Sequence, residues 1–197
     1  MTAANIFPSG YTVAPMTRAE ADQLGDWAGE EGWNPGLADI DVAWGCDPQA
    51  FIALRKDGVL AGGATIIAYG DAAGFLGLYI MRKDLRRQGQ GRLFWHELLR
   101  RHAARLQPNA PIGLDGVFDM APFYAADGFK LLYRDLRYEG IAAGERAGGK
   151  TDAAVLPLDK IAWESLTAYD AAVSSIARPD FMRRWLTVSG GKGFAAL

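Results

Sequence analysis

The spacing of apolar and polar positions changes along the chain, and each change marks an element. Tyr11 to Pro15 reads as a short strand. Thr17 can cap a helix starting at Arg18, with Glu20 as its capping-box partner. Leu24, Trp27 and Ala28 follow at helical spacing, and Gly32-Trp33-Asn34-Pro35-Gly36 stops that helix in a loop. Phe51 to Arg55, Lys56-Asp57-Gly58 and Val59 to Tyr69 read as a hairpin with Asp-Gly at its turn. Phe75 to Met81 is a further apolar strand. A helix is predicted over Gly91 to Leu106, with Leu93, Phe94, Leu98 and Leu99 as its stripe.

Pro111 to Phe118 then reads as a strand, Ala121 to Ala126 as a short helix closed by Gly128, and Phe129 to Tyr138 as a returning strand. The order begins βα and ends βαβαβ, which predicts a mixed α/β sheet. Ile141 to Lys150, rich in Gly and Ala, reads as a linker. Two more helices are expected at Ile161 to Ala172 and Pro179 to Leu186. Thr187 to Leu197 ends in what reads as the start of a strand.

Composition narrows the function classes. The chain has 197 residues, with six Trp, seven Tyr and nine Phe that need a core, so a disordered chain is excluded. Its 21 basic and 23 acidic residues nearly cancel, which argues against a general nucleic-acid coat. Cys46 is the sole cysteine and there are two histidines, so neither an intramolecular disulfide nor a cysteine-based zinc site is expected. Met1 to Gly10 lacks the pattern of a signal peptide, and no run approaches the roughly 20 apolar residues of a membrane span. A cytoplasmic protein with no membrane partner is expected.

Charge is unevenly placed. Ala19 to Leu54 holds no Lys or Arg but carries Glu20, Asp22, Asp26, Glu30, Glu31, Asp39, Asp41 and Asp47. Arg82 to Arg105 reverses the sign, with Arg82, Lys83, Arg86, Arg87, Arg92, Arg100, Arg101 and Arg105 against Asp84 and Glu97. Two solvated faces would account for this. The same opposition suits an enzyme that joins an anionic cofactor to a cationic substrate.

Arg86-Arg87-Gln88-Gly89-Gln90-Gly91 lies between a strand and a helix, where tight backbone and a helix N-terminus favour a phosphate. An ordinary turn with solvated arginines has the same composition. Two better-known loops fail. A dinucleotide fingerprint needs a glycine where Phe94 stands. Gly144 to Thr151 matches the Walker A pattern formally, but Pro157 would interrupt the helix that must begin at Lys150.

The run from Gly77 to Gly91 resembles the signature of the GNAT (GCN5-related) N-acetyltransferases, whose pyrophosphate loop Gln/Arg-x-x-Gly-x-Gly/Ala is matched by Arg86, Gly89 and Gly91. Phe123-Tyr124-Ala125-Ala126-Asp127-Gly128-Phe129 resembles that family's second mark, a Tyr on a short helix before Gly-Phe. The resemblance covers about Tyr11 to Tyr138 and implies a mostly antiparallel central sheet flanked by helices, an α/β (α+β) fold. It also implies acetyl-CoA as cofactor, its pyrophosphate held by backbone N–H groups from Arg87 through Gln88, Gly89, Gln90, Gly91 and Arg92 to Leu93. The strand at Tyr79 to Met81 would splay from its neighbour and pair with the pantetheine arm. Tyr79 N–H would polarise the acetyl carbonyl, and Tyr124 would protonate the departing thiolate.

Some family members carry a Glu on the strand before the loop, but Phe75, Leu76, Gly77 and Leu78 offer no acid. The base candidates are therefore Glu30, Glu31, Asp39, Asp41 and Asp115. Glu30, Glu31, Trp33, Asn34 and Asp115 are the candidates for acceptor binding, and His96 and His102 read as structural. The loop Glu31 to Gly36, with Tyr169-Asp170, Arg178 and Phe181, resembles a tandem subgroup in which a second related domain follows. On that pattern residues 1–140 form the catalytic domain, 141–151 a linker, and 152–197 a partial second domain or a helical extension. Its last segment could serve a homodimer. The implied activity is acetyl transfer to a small primary amine, with no nucleic-acid partner. A non-catalytic acyl-CoA-binding or interaction module is the alternative.

Overall fold

In the computed structural model, which describes residues 7–141 and 153–197, Tyr11–Pro15 forms β1 and Thr17 turns the chain at once into α1, Arg18–Glu30. The capping box forms as the sequence predicts: Thr17 N–H donates to Glu20 Oε2 (2.7 Å), and Glu20 N–H donates to Thr17 Oγ1 (3.3 Å). Glu20 also takes two guanidinium hydrogen bonds from Arg55 (2.6 and 2.5 Å), which tie the helix start to the sheet.

Phe51–Lys56 (β2) and Val59–Tyr69 (β3) form the predicted hairpin, followed by β4 (Ala73–Met81) and, much later, β5 (Ile112–Gly113). The five strands lie in chain order; the first three pairings are antiparallel and β4–β5 is parallel. The sheet is thus mixed and mostly antiparallel, with helices on both sides.

Burial on both faces explains the unbroken apolar run of β2. Phe51 and Ala53 pack toward Ala21, Leu24 and Ala28 of α1. Ile52 and Leu54 pack on the opposite side toward Phe94, Trp95 and Leu98 of α3, Gln90–Ala103. Those three α3 side chains are fully buried, so α3 is the helix that closes the back of the sheet.

Several boundaries differ from expectation. An unpredicted helix, α2, spans Asp39–Cys46: Ile40, Ala43 and Trp44 pack with α1 in one cluster, and Asp39 accepts the Gly36 N–H (2.7 Å) at its start. Its clue, apolar residues at i, i+3 and i+4 behind two acids, was present but short. The predicted strand at Pro111 to Phe118 reduces to two residues, because β5 pairs with β4 only at Gly74 and Phe75. Phe129 to Tyr138 is not a strand. Consecutive Leu131, Leu132 and Tyr133 are all exposed, so no alternate face is buried to fix a register. That segment is held instead by Arg137, which donates to the Gly32 and Trp33 carbonyls (3.2 and 3.1 Å). α3 ends at Ala103, short of Leu106.

Toward the C-terminus, β6 (Val155–Pro157), α5 (Trp163–Ser174), α6 (Pro179–Leu186) and β7 (Phe194–Ala196) follow, with β6 and β7 antiparallel. The final segment therefore finds its strand partner within the same chain. α6 lies against α2, and Arg178 forms a two-pronged pair with Asp170 (2.9 and 3.0 Å). The glycine-rich stretch at 144–151, and the expected linker beyond Ile141, fall outside the described residues. No helix among the described residues is long and apolar enough to cross a membrane.

Candidate functional site

β4 is irregular on both edges where the sequence places the chemistry. Toward β3, Gly63 pairs with Ile80 and Thr65 with Gly77, so Leu78 and Tyr79 together oppose Ala64 alone. That extra residue is a β-bulge, and Leu78 absorbs it with φ of +50°. Toward β5, the ladder stops at Phe75. From Leu76 to Met81 this edge of β4 has no strand partner among the described residues. Tyr79 sits at the bulge and on the open edge, so its backbone N–H is outside the regular ladder.

The loop after β4 is shaped for an anion. Arg87 (φ +60°) and Gly89 (φ +89°) both adopt left-handed backbone, which turns successive N–H groups to one side. Gly89 is the N-cap of α3 and offers no side chain to satisfy the helix's first-turn donors. The positive end of the helix is therefore left for another partner. A small residue is favoured at Gly91: a Cβ there would lie 2.9 Å from the Tyr79 hydroxyl, which donates to the Gly91 carbonyl (2.7 Å), so Tyr79 would have to shift.

Side chains of the loop mostly serve the protein itself. Arg86 Nε donates to the Met81 carbonyl (2.8 Å), Gln88 donates to the Asp84 carbonyl (3.0 Å), and Arg92 lies over the Phe123 ring at 5.6 Å. Arg92 N–H and Leu93 N–H both donate to the Gly89 carbonyl (3.1 and 3.4 Å), which leaves the N–H groups before them facing outward. Backbone rather than side chains is what this loop presents.

Tyr124 lies on α4, Ala121–Ala125, whose end has a definite cause. Gly128 takes φ of +90°, its N–H donates to Ala125 O (3.1 Å), and Phe129 N–H donates to Tyr124 O (3.2 Å). This is a Schellman motif, and the Phe129 ring packs on Tyr124 at 6.4 Å as its apolar contact. The Gly-Phe pair thus has a mechanical role beside the tyrosine. Trp95, fully buried, gathers Tyr79 (5.4 Å), Phe123 (5.4 Å), Tyr124 (5.2 Å) and Phe129 (5.7 Å) around it. Burial raises the Tyr124 phenol above its ordinary value, and raises Tyr79 further with Tyr124 nearby. Tyr79 and Tyr124, far apart in sequence, share one aromatic cluster.

The acidic candidates separate clearly. Glu31 is bound by Arg86 (2.7 Å), with Lys83 at 3.9 Å, and the Arg86 hydrogen bond holds its carboxyl below the usual range. Glu30 pairs with Lys83 at 3.5 Å. Asp41 is paired with Arg18, and Asp39 caps the loop at Gly36. Trp33 packs against the α1 cluster, while Asn34 turns the loop with φ of +49°. Asp115 differs: burial first, then the nearby negative Asp135, raise its carboxyl. His102 is fully buried, its Nε2 2.8 Å from the Ile67 carbonyl, and burial lowers its pKa; His96 lies 3.2 Å from Asp127. Asp127 escaped the sequence reading. The signal was there, since a carboxylate beside a helix-closing glycine opposes the helix dipole and needs a reason.

Comparison with known proteins bears on this geometry. No family model matches the chain. A holothin acyltransferase from Pseudoalteromonas sp. (strain SANK 73390) is 22% identical over 184 residues, 93% of this chain and 60% of that protein. The chain thus spans three-fifths of the length of that relative. A solved structure from Pyrococcus horikoshii, described as that of an acetyltransferase by assignment, superposes with a TM-score of 0.77 at 17% identity, over 100% of this chain and 68% of the other. A GNAT-family structure from Xanthomonas campestris pv. campestris gives 0.51 at 16% identity, over 64% of this chain and 93% of the other. Identities this low speak to architecture, and with the bulged, splayed β4 and the left-handed loop before α3 they show that this chain has the fold of the GNAT acetyltransferases.

Proposed function

We propose that this protein is an acetyl-CoA-dependent N-acetyltransferase that transfers an acetyl group to a primary amine, a small cationic one, by direct attack in a ternary complex. The observation that carries this reading is the opening of β4 away from β5 directly beside the uncapped start of α3. A free strand edge suits an amide-bearing arm, and left-handed backbone at a helix N-terminus suits a diphosphate. Coenzyme A joins those two chemistries. The residues present fit it, with Tyr79 and Met81 on the arm and backbone from Arg87 to Gly91 on the pyrophosphate; the Arg92 and Leu93 N–H groups are taken by the Gly89 carbonyl. The relative named for acyl transfer supports the same reaction class.

Acetyl-CoA, when bound, supplies the activated acetyl thioester. Tyr79 N–H donates to the carbonyl oxygen as negative charge develops there. Transfer would join the amine nitrogen to the acetyl carbon and release the thiolate of coenzyme A, leaving one proton to be supplied and one to be taken up by residues of the chain. Tyr124 would give its phenolic proton to the departing sulfur; a phenol is protonated at neutral pH, and burial further disfavours its ionised form. Asp115 would receive the amine's proton: it has no arginine, lysine or backbone partner among the described residues, whereas Glu31 and Asp41 are committed to arginines, Glu30 to Lys83 and Asp39 to the Gly36 N–H. Glu30 and Glu31 are neutralised by Lys83 and Arg86, so a cationic acceptor would rely on the unpaired Asp115 rather than on the end of α1.

Thermal unfolding with acetyl-CoA, desulfo-CoA and ADP tests the cofactor first. A cofactor bound by the folded state alone stabilises it by about 2.7 kcal/mol at a hundred times its dissociation constant. Equal shifts from acetyl-CoA and desulfo-CoA, with a weaker one from ADP, are expected. No shift at millimolar acetyl-CoA overturns the reading. Turnover with an amine panel follows, in which Tyr124→Phe is expected to lower kcat by about 10²-fold with little change in cofactor affinity.

A further inference from the structure

α4 is too short to hold itself: five residues lie far below the roughly 12–15 that an isolated helix needs. It carries no fully buried residue, and the chain around it is exposed apart from the half-buried Met120, Asp127 and Phe129. Yet a proton donor on it must be aimed to within a fraction of an ångström. Rings packing on rings leave freedom to slide and turn, so a directional contact is required.

Asp127 supplies one. Its Oδ2 accepts the indole N–H of Trp95 at 3.0 Å, and Oδ1 lies 3.2 Å from His96 Nε2. Asp127 stands three residues after Tyr124 and is joined to it by its own N–H (3.1 Å to Tyr124 O). Both residues face Trp95, which meets the ring of one and the carboxylate of the other. Trp95 is fully buried and its N–H is a donor with no alternative role, so losing the acceptor leaves an unsatisfied buried group. The indole is in turn fixed in the core of α3 against β4, the strand that holds Tyr79.

We propose that Asp127 is a positioning residue for the transfer reaction, locking α4 to the buried Trp95 indole so that Tyr124 is held at a fixed place relative to Tyr79. The proposal rests on the acyl-transfer reading. Its test uses Asp127→Ala, Asp127→Asn, Trp95→Phe and the Trp95→Phe/Asp127→Ala double variant, assayed with acetyl-CoA and the best amine of the panel. Asp127→Ala and Trp95→Phe are each expected to lower kcat about tenfold, with KM for acetyl-CoA within about twofold of the parent. The double variant should be no worse than either single, because one contact is lost in all three. Asp127→Asn retains an acceptor oxygen and should recover most of the rate.

Parent-like kcat in Asp127→Ala or Trp95→Phe overturns the proposal, as do additive losses or no recovery in Asp127→Asn. Where Asp127→Ala does not fold, Trp95→Phe and Asp127→Asn decide alone. A second readout needs no turnover: the phenol titration of Tyr124, isolated by difference against Tyr124→Phe. Removal of Asp127 should bring that titration down toward the ordinary tyrosine value as α4 loosens, and an unchanged titration counts against the lock. An inactive parent therefore sinks the acyl-transfer reading while the titration still decides whether Asp127 fixes Tyr124.

Discussion

Two regions of this molecule share an order of elements and differ in almost everything else. β1, α1, α2 and β2 run strand–helix–helix–strand with the two strands antiparallel, and β6, α5, α6 and β7 do the same. In the first, Ala21, Leu24 and Ala28 of α1 and Phe51 of β2 are fully buried. In the second, neither helix has a buried residue, and Tyr169, Val173, Trp185 and Phe194 are exposed. The difference lies in what joins each strand pair. β2 continues into the β3 hairpin and is backed by α3, whereas β6 and β7 pair only with each other. A strand pair gains a core when a third strand and a helix cover it.

Substitutions at matching places should widen this contrast. Leu24→Ala in α1 is expected to destabilise the fold by about 2–5 kcal/mol, seen as a lower urea midpoint. Leu166→Ala on half-buried α5 should cost under about 1 kcal/mol in the same assay. Comparable losses would mean that the second region is as tightly packed as the first.

Next in size is an acid sensitivity confined to the first region. Burial lowers the pKa of His102, so the folded protein favours its neutral form while the unfolded chain protonates near 6.5. Stability from this source is complete above about pH 6.5 and is lost as pH falls through the lowered folded value. The urea midpoint should drop as pH decreases from 7 to 5, and His102→Gln should flatten that slope. Glu97, lowered to about 2 chiefly by its hydrogen bond with Arg100, contributes stability that is lost only at much lower pH, so its loss begins below the ordinary glutamate range rather than near pH 6.5.

Gly89→Val should cost about 1–2 kcal/mol, because a branched side chain is forced into left-handed backbone. It should also shrink the acetyl-CoA thermal shift, since the same turn presents the α3 N–H groups. The smallest effect belongs to the second region. Arg178→Ala removes the Asp170 pair and should lower stability by about 1 kcal/mol or less while leaving the cofactor shift in place. Loss of the shift in that variant would join the second region to the cofactor site.

Residues whose neighbours are close in sequence were legible without coordinates. Thr17 and Glu20 form their box across three residues, Gly128 ends α4, and Gly89 with Gly91 brackets the start of α3; each needs only local backbone chemistry. Phe129 to Tyr138 was misread because a strand exists only with a partner at its side, and β5 ends too soon to supply one. Leu78 gave no warning of its bulge, which arises from the mismatch between β3 and β4 rather than from leucine. Glu31 read as free for an amine until the fold brought Arg86 beside it from 55 residues away.

The amino-acid sequence by itself determined the Thr17 cap, the glycine that closes α4, the hairpin turn and the two marks on which the acetyltransferase resemblance stands. Each follows from steric or hydrogen-bonding preferences that act within a few residues. Tertiary structure alone decided where β4 parts from β5, which acids are spent on arginines, and that Asp127 meets Trp95. Those outcomes depend on distances between segments far apart in the chain, set by the packing of α1 and α2 on one side of the sheet and α3 on the other.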